Sequence, residues 1–160
     1  EVKWTILQLL QKKKQKRIDI LKECWEEDSV VDQQRIDDEI AKLPRLHKKY
    51  IDLLTTLKVD VFRRDAEFRL LKGVRSRYFS GTLSKEELQQ YGWSQYQGRS
   101  LTKAEIERTL ETDPIMVRAE ENLFDLKVCF EYCESVLQSL RYRGHDLKTL
   151  VEYKKFLAGN

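Results

Sequence analysis

The sequence predicts an all-α fold, and three observations carry that reading. Only two prolines and six glycines interrupt 160 residues, so long segments are free to run as helix. Apolar residues recur at spacings of three and four, with few β-branched alternating runs. Ser84 and Thr102, each followed three residues later by a Glu, and Asp113 followed by Pro114 mark three helix starts. A content of 36% charged against 41% hydrophobic residues suits one soluble helical domain over 1–160. The longest apolar runs are only a few residues, so no membrane span is expected, and the first residues lack the order of a signal peptide. Three cysteines, an odd number, fit a reducing compartment better than a disulfide framework.

The elements follow in order. Ile18 to Glu27 predicts a short amphipathic helix, Asp28 to Asp32 a loop, and Gln34 to Lys42 a second short helical turn. Pro44 then opens a long helix at its first turn, where its missing N–H does no harm. Leu46, Tyr50, Leu53, Leu54, Leu57, Val61 and Phe68 keep helical spacing along it. Gly73 costs about 1 kcal/mol relative to alanine, so either the helix loosens there, the favoured reading, or something needs close backbone approach, and Ser80-Gly81 ends the helix. Ser84 with Glu87 forms a capping box, stapled by Leu83 and Leu88, for a short helix ending near Gly92. Thr102 with Glu105, stapled by Leu101 and Ile106, repeats the signal. Between them lies GWSQYQGR, Gly92 to Arg99, which could hold a small hairpin at 92–100.

Asp113 as N-cap, Pro114 at the first helical position and Gly144 just past the end bound the next helix. Met116, Ala119, Leu123, Leu126, Phe130, Cys133, Leu137 and Leu140 form a heptad seam along it, widened by Cys129 and Val136. A final helix from Asp146 continues with Leu147, Leu150, Val151 and Leu157, and Tyr153 and Phe156 add aromatic surface. Two such helices carry more apolar face than one slim core needs, so self-association is expected, with Leu123, Leu126, Phe130, Cys133, Leu137, Leu140, Leu147, Leu150 and Val151 as the contact.

Charge is uneven. The net +3 divides into +5 for residues 1–81 and −2 for 82–160, which makes the N-terminal part the polyanion-binding half. Its densest cluster, Lys12, Lys13, Lys14, Lys16 and Arg17, belongs to an extension over 1–17 that reads equally as a solvated face, an appended tail or a binding segment. A more specific pattern is FRLLKGVRSRYFSG, Phe68 to Gly81, where Arg69, Lys72 and Arg75 follow at i, i+3 and Arg77, Tyr78 and Phe79 adjoin them. Cations that track a backbone, beside rings that stack on bases, describe a site for single-stranded nucleic acid. The plain alternative is a solvated helix end paired with Asp65 and Glu67. Trp93, in a loop with Tyr96, is the indole placed to stack on a base, whereas Trp25 suits a buried helix face.

Other chemistry finds little support. No GxxxxGK[ST] phosphate loop occurs. Cys129 and Cys133 at i, i+4 with His145 lack a fourth metal ligand and read as core thiols. His47 and His145, the two histidines, belong to no triad pattern. Asp37, Asp38 and Glu39 splay around a helix and do not converge on a metal. No catalytic residue, metal or cofactor is expected. A helical scaffold that only assembles subunits is the alternative to a binding protein.

The motifs together resemble a family. LPRLHKKY (Leu43 to Tyr50), RYFSG (Arg77 to Gly81), GWSQYQG, a Thr-Asp-Pro cap, FEYCESVLQSLRYRG (Phe130 to Gly144) and a closing YKKFLAG occur in an order and spacing similar to the UvsY recombination mediators of T-even-type bacteriophages and their marine relatives, over about Ile18 to Asn160. The resemblance implies a non-enzymatic, ring-forming and heptameric protein in the cytoplasm of the infected host. It would bind single-stranded DNA and help a phage recombinase of the RecA type displace the phage single-strand-binding protein. It further implies a Lys-x-Arg pair before an aromatic Ser-Gly motif as a DNA contact. Aligned on the Ser-Gly, the Arg falls on Arg75 and the Lys on Gly73, so Lys72 stands in for the missing cation.

Overall fold

The computed structural model describes residues 17–159. Trp4 and Lys12, Lys13, Lys14 and Lys16 of the basic cluster lie outside the described residues. Among the described residues five helices follow one another: α1 Arg17–Ser29, α2 Ile36–Phe79, α3 Lys85–Tyr91, α4 Lys103–Thr112 and α5 Pro114–Leu157. Among the described residues there is no strand, so the hairpin expected at 92–100 is absent. None of these helices is apolar enough over its length to cross a membrane. Residues 17–59 and 125–159 form one compact unit and residues 60–124 another, with α2 and α5 each supplying a segment to both.

Two helices expected to be interrupted run on. The turn at Gln34 to Lys42 and the helix from Pro44 are one element of 44 residues, with Pro44 inside it. Proline there removes one backbone bond and crowds the preceding turn, at about 3 kcal/mol. Tertiary anchoring outweighs that cost. Ile36 and Glu39, 7% and 4% exposed, are buried ahead of the proline, and Glu39 receives Lys42 at 2.6 Å. Ile40, whose carbonyl would have accepted from residue 44, lies on an exposed turn where water can serve it. Likewise α5 passes through Gly144 and merges with the helix expected from Asp146. Arg143 before the glycine and Leu147 after it are both held: the guanidinium donates to the carbonyls of Asp28 and Ser29, and Leu147 is 3% exposed. These contacts exceed the roughly 1 kcal/mol that glycine costs in a helix.

In the unit built from 17–59 and 125–159, Asp28 is a hub. Tyr50 and Lys49 both donate to its Oδ2, at 2.9 and 2.5 Å. Burial, then the bond to Asp28, pushes the Tyr50 phenol far above its ordinary pKa. The Tyr50 ring meets Trp25 edge-on at 5.7 Å, and Arg143 lies 5.1 Å from the Trp25 centroid. α1 thus ends on a cationic side chain from α5, which satisfies carbonyls that a terminal glycine motif would otherwise serve.

The heptad seam of α5 is spent inside the chain. Leu123, Leu126, Cys133, Leu137, Leu140 and Leu147 are each at most 7% exposed, while Phe130, Leu150 and Val151 are half-buried. Most of the face expected to be left over for a neighbour is therefore covered by the chain's own helices. Cys129 and Cys133 are buried core thiols, and burial pushes Cys133 up to about 12.

Gly73 causes neither loosening nor close approach. α2 stays helical through it, its φ is not positive, and a Cβ there would meet nothing within 4 Å. Gly73→Ala is expected to raise stability by about 1 kcal/mol, read as a higher urea midpoint at unchanged slope. A drop in midpoint would show that the open space is needed. For the thiols, native protein at pH 8 should react with a maleimide at half-buried Cys24, and at Cys129 and Cys133 only on unfolding. Because folding holds the Cys133 proton above the ordinary value of 9.0, its contribution is complete below that pH and lost as pH rises toward 12. Equilibrium unfolding between pH 8 and 11 checks the sign.

A candidate nucleic-acid interface at the end of α2

Local chemistry positions this region from four directions. α2 closes with Gly81 at φ 71°, whose N–H donates to Tyr78 O, and with Thr82 N–H donating to Arg77 O. α3 and α4 begin at the expected capping boxes, Ser84 with Glu87 and Thr102 with Glu105. α3 ends at Gly92, φ 66°. Asp113 ends α4 and starts α5, accepting the Met116 N–H at its Oδ2 at 3.2 Å.

Arg75 is drawn into this framework. Its Nε donates to Asp113 Oδ2 at 2.9 Å and its Nη2 to Oδ1 at 2.5 Å, a two-point ion pair in which both residues are 6% exposed. Its guanidinium carbon lies 4.5, 4.8 and 4.6 Å from the ring centroids of Tyr78, Phe79 and Trp93. The expectation that Arg75 faces phosphate is thereby corrected, and so is that of Phe79 as a stacking ring, since Phe79 is 8% exposed and packs with Ile106, Leu110 and Met116. The reason is rotational. A step of three residues turns a helix about 60° short of a full circle, so two steps from Arg69 carry Arg75 about 120° away. That places it on the face of Leu71 and Phe79, each four residues from it.

The other candidates stay accessible. The Arg69 side chain is 65% exposed and pairs with Asp65 at 3.1 Å, one turn back. Lys72 is exposed and has no ion pair among the described residues. Arg77 is 48% exposed and pairs with Glu87, whose carboxylate is held below its ordinary range by the Ser84 N–H and by Arg77. Tyr78 is half-buried, meeting Phe79, Trp93 and Tyr96 edge-on at 5.3 to 5.8 Å. The loop expected as a hairpin instead turns Trp93 and Tyr96 into this cluster, and Tyr96 lies where a side chain at Gly98 would stand. Trp93 and Tyr96 are three residues apart, a spacing that cannot place both on one face of a strand. Asp113, read only as a cap, is the residue whose second role sequence reasoning missed. The signal was Arg75 itself, a cation four residues from apolar neighbours on both sides.

Among the described residues, helices without strands, exposed cations at a helix end and a half-exposed aromatic loop beside them define a small helical protein with a cationic and aromatic surface patch. The chain belongs to the UvsY family of recombination, repair and single-stranded-DNA-binding proteins, whose model matches residues 24–160. It is similar to the recombination protein UvsY of enterobacteria phage T4, at 22% identity over 143 residues that cover 89% of this chain and 98% of that protein. Two crystal structures of the phage T4 recombination mediator protein UvsY share the fold. The lattice type IV form gives a TM-score of 0.76 at 21% identity, covering 88% of this chain and 98% of that one. The type II form gives 0.75 at 22%, covering 89% and 98%.

Removing one member of a buried ion pair strands the other. Arg75→Ala is expected to cost about 3–5 kcal/mol in urea unfolding, and the double variant with Asp113→Ala far less than the sum of the two. A cost near zero, with DNA affinity lost, would return Arg75 to the binding surface.

Proposed function

We propose that this protein is a recombination mediator that binds single-stranded DNA without sequence preference and helps a phage recombinase of the RecA type onto DNA covered by the phage single-strand-binding protein. It would act in the cytoplasm of the infected host. The observation that carries the reading is membership of the UvsY family over residues 24–160. The cations available for DNA are Arg69, Lys72 and Arg77, with Tyr78 beside them. Arg75 and Phe79 serve by fixing the helix end that presents these groups. Two of the three cations are already paired with carboxylates, so each contact with phosphate is worth little alone. A ring that repeats the patch turns modest contacts into useful affinity through effective concentration while each remains exchangeable.

The ring is proposed on the family resemblance, as a heptamer. Its contact draws on the parts of the expected seam that the chain leaves accessible, Phe130, Leu150 and Val151, together with Tyr153, Phe156 and Leu157, which are 57%, 76% and 65% exposed. Native mass spectrometry with and without an oligonucleotide reads stoichiometry and occupancy together. A monomer at working concentration would remove the avidity argument.

For DNA, the triple variant Arg69→Ala, Lys72→Ala, Arg77→Ala should keep its helical circular dichroism and lose roughly tenfold or more in affinity for oligothymidylate. The slope of log affinity against log salt should shrink by about 2, since each phosphate contact on a single strand contributes about 0.7. Fluorescence anisotropy over a salt series measures both. An unchanged slope would sink the site assignment, and failure of the intact protein to stimulate recombinase loading in a strand-exchange assay would sink the mediator reading.

A further inference from the structure

Among the rings beside the cations, Tyr91 has no evident structural task. It is the last residue of α3, a helix with no buried residue, and it is 41% exposed. Its phenol forms no hydrogen bond among the described residues. Its ring stacks on Trp93 with centroids 4.7 Å apart and planes at 21°. The other ring pairs of this cluster meet edge-on at 66° to 86°. Edge-on contacts lock a core, whereas a nearly parallel pair whose outer member is exposed leaves a flat aromatic surface open.

That surface is held firmly. Gly92 in the left-handed conformation returns its N–H to α3, and the Trp93 N–H donates to Leu88 O at 2.9 Å, so the backbone between the two rings is fixed. Trp93 is backed in turn by the Arg75 guanidinium at 4.6 Å and by Tyr78 at 5.5 Å. Little ordering entropy remains to oppose binding. Charge lies close by, because Glu87, four residues before Tyr91 and on the same helix face, holds Arg77. The pair is solvent-exposed on both sides, 48% and 34%, so exchanging the carboxylate for a phosphate costs little.

We propose that Tyr91, backed by Trp93, is a stacking platform for one nucleobase of a single strand whose adjacent phosphate is taken by Arg77. The inference rests on the single-stranded-DNA reading above and adds a site to it. Stacking on an open ring is indifferent to base identity, as binding without sequence preference requires.

The test uses the full chain and two oligonucleotides of equal length, an oligothymidylate and its abasic counterpart, at one salt concentration. Tyr91→Ala should weaken oligothymidylate binding roughly 5- to 100-fold and abasic binding less than about twofold. Tyr91→Phe should keep both affinities, and Tyr91→Leu, which keeps apolar bulk without a π face, should behave as Tyr91→Ala. Equal losses on the two strands, or none on either, would overturn the platform while leaving DNA binding in place. Absence of binding of the unmodified protein to both strands would overturn the DNA reading and the platform together.

Discussion

The ion pair between Arg75 and Asp113 is the constraint on which the arrangement of residues 60–124 depends. Two charges, each 6% exposed, cannot be left apart, because desolvation costs several kcal/mol per ion and only close, directional contact offsets it. The geometry meets that demand at two points, 2.9 and 2.5 Å, and Asp113 at the same time caps α5 through the Met116 N–H. One carboxylate therefore fixes the end of α2 against the start of α5. The guanidinium faces then organise Tyr78, Phe79 and Trp93, where the attraction of a cation for aromatic rings adds to their burial.

This arrangement changes the meaning of the positive helix end. A stripe of four cations in the sequence becomes one structural cation, two that share local carboxylates and one, Lys72, with no ion pair among the described residues. Exposed ion pairs, whether one turn apart on a helix as Arg69 with Asp65 or between two helices as Arg77 with Glu87, are worth about 0–1 kcal/mol, so neither cation is held tightly. A surface of this sort favours weak and reversible contact. The buried pair gives it a rigid base.

In the unit of residues 17–59 and 125–159 the organising group is again an acid. Asp28 gathers Lys49 and Tyr50, and Arg143 closes the C-terminal end of α1 beside it. Polar groups at the edge of an apolar core fix which packing is adopted, while Leu21, Val136, Cys129 and Cys133 supply the burial that drives it. The same contacts carry α5 through Gly144, where local preference alone would end it.

The all-α class, both capping boxes, the Asp113-Pro114 start and the Gly92 stop were legible in the residues, because each depends on groups within four positions of one another. Family membership was legible too, carried by the order of motifs. The continuity of α2 through Pro44 and of α5 through Gly144 was not, since both follow from burial by segments distant in the chain. Nor was the fate of the cationic stripe. Spacing placed Arg69, Lys72 and Arg75 near one another, but which of them met water was decided by Asp113, 38 residues further on, and by rings from a loop with no regular structure. Local periodicity determines where a side chain leaves its helix; only the tertiary structure supplies the partner that makes burying a charge cheaper than solvating it.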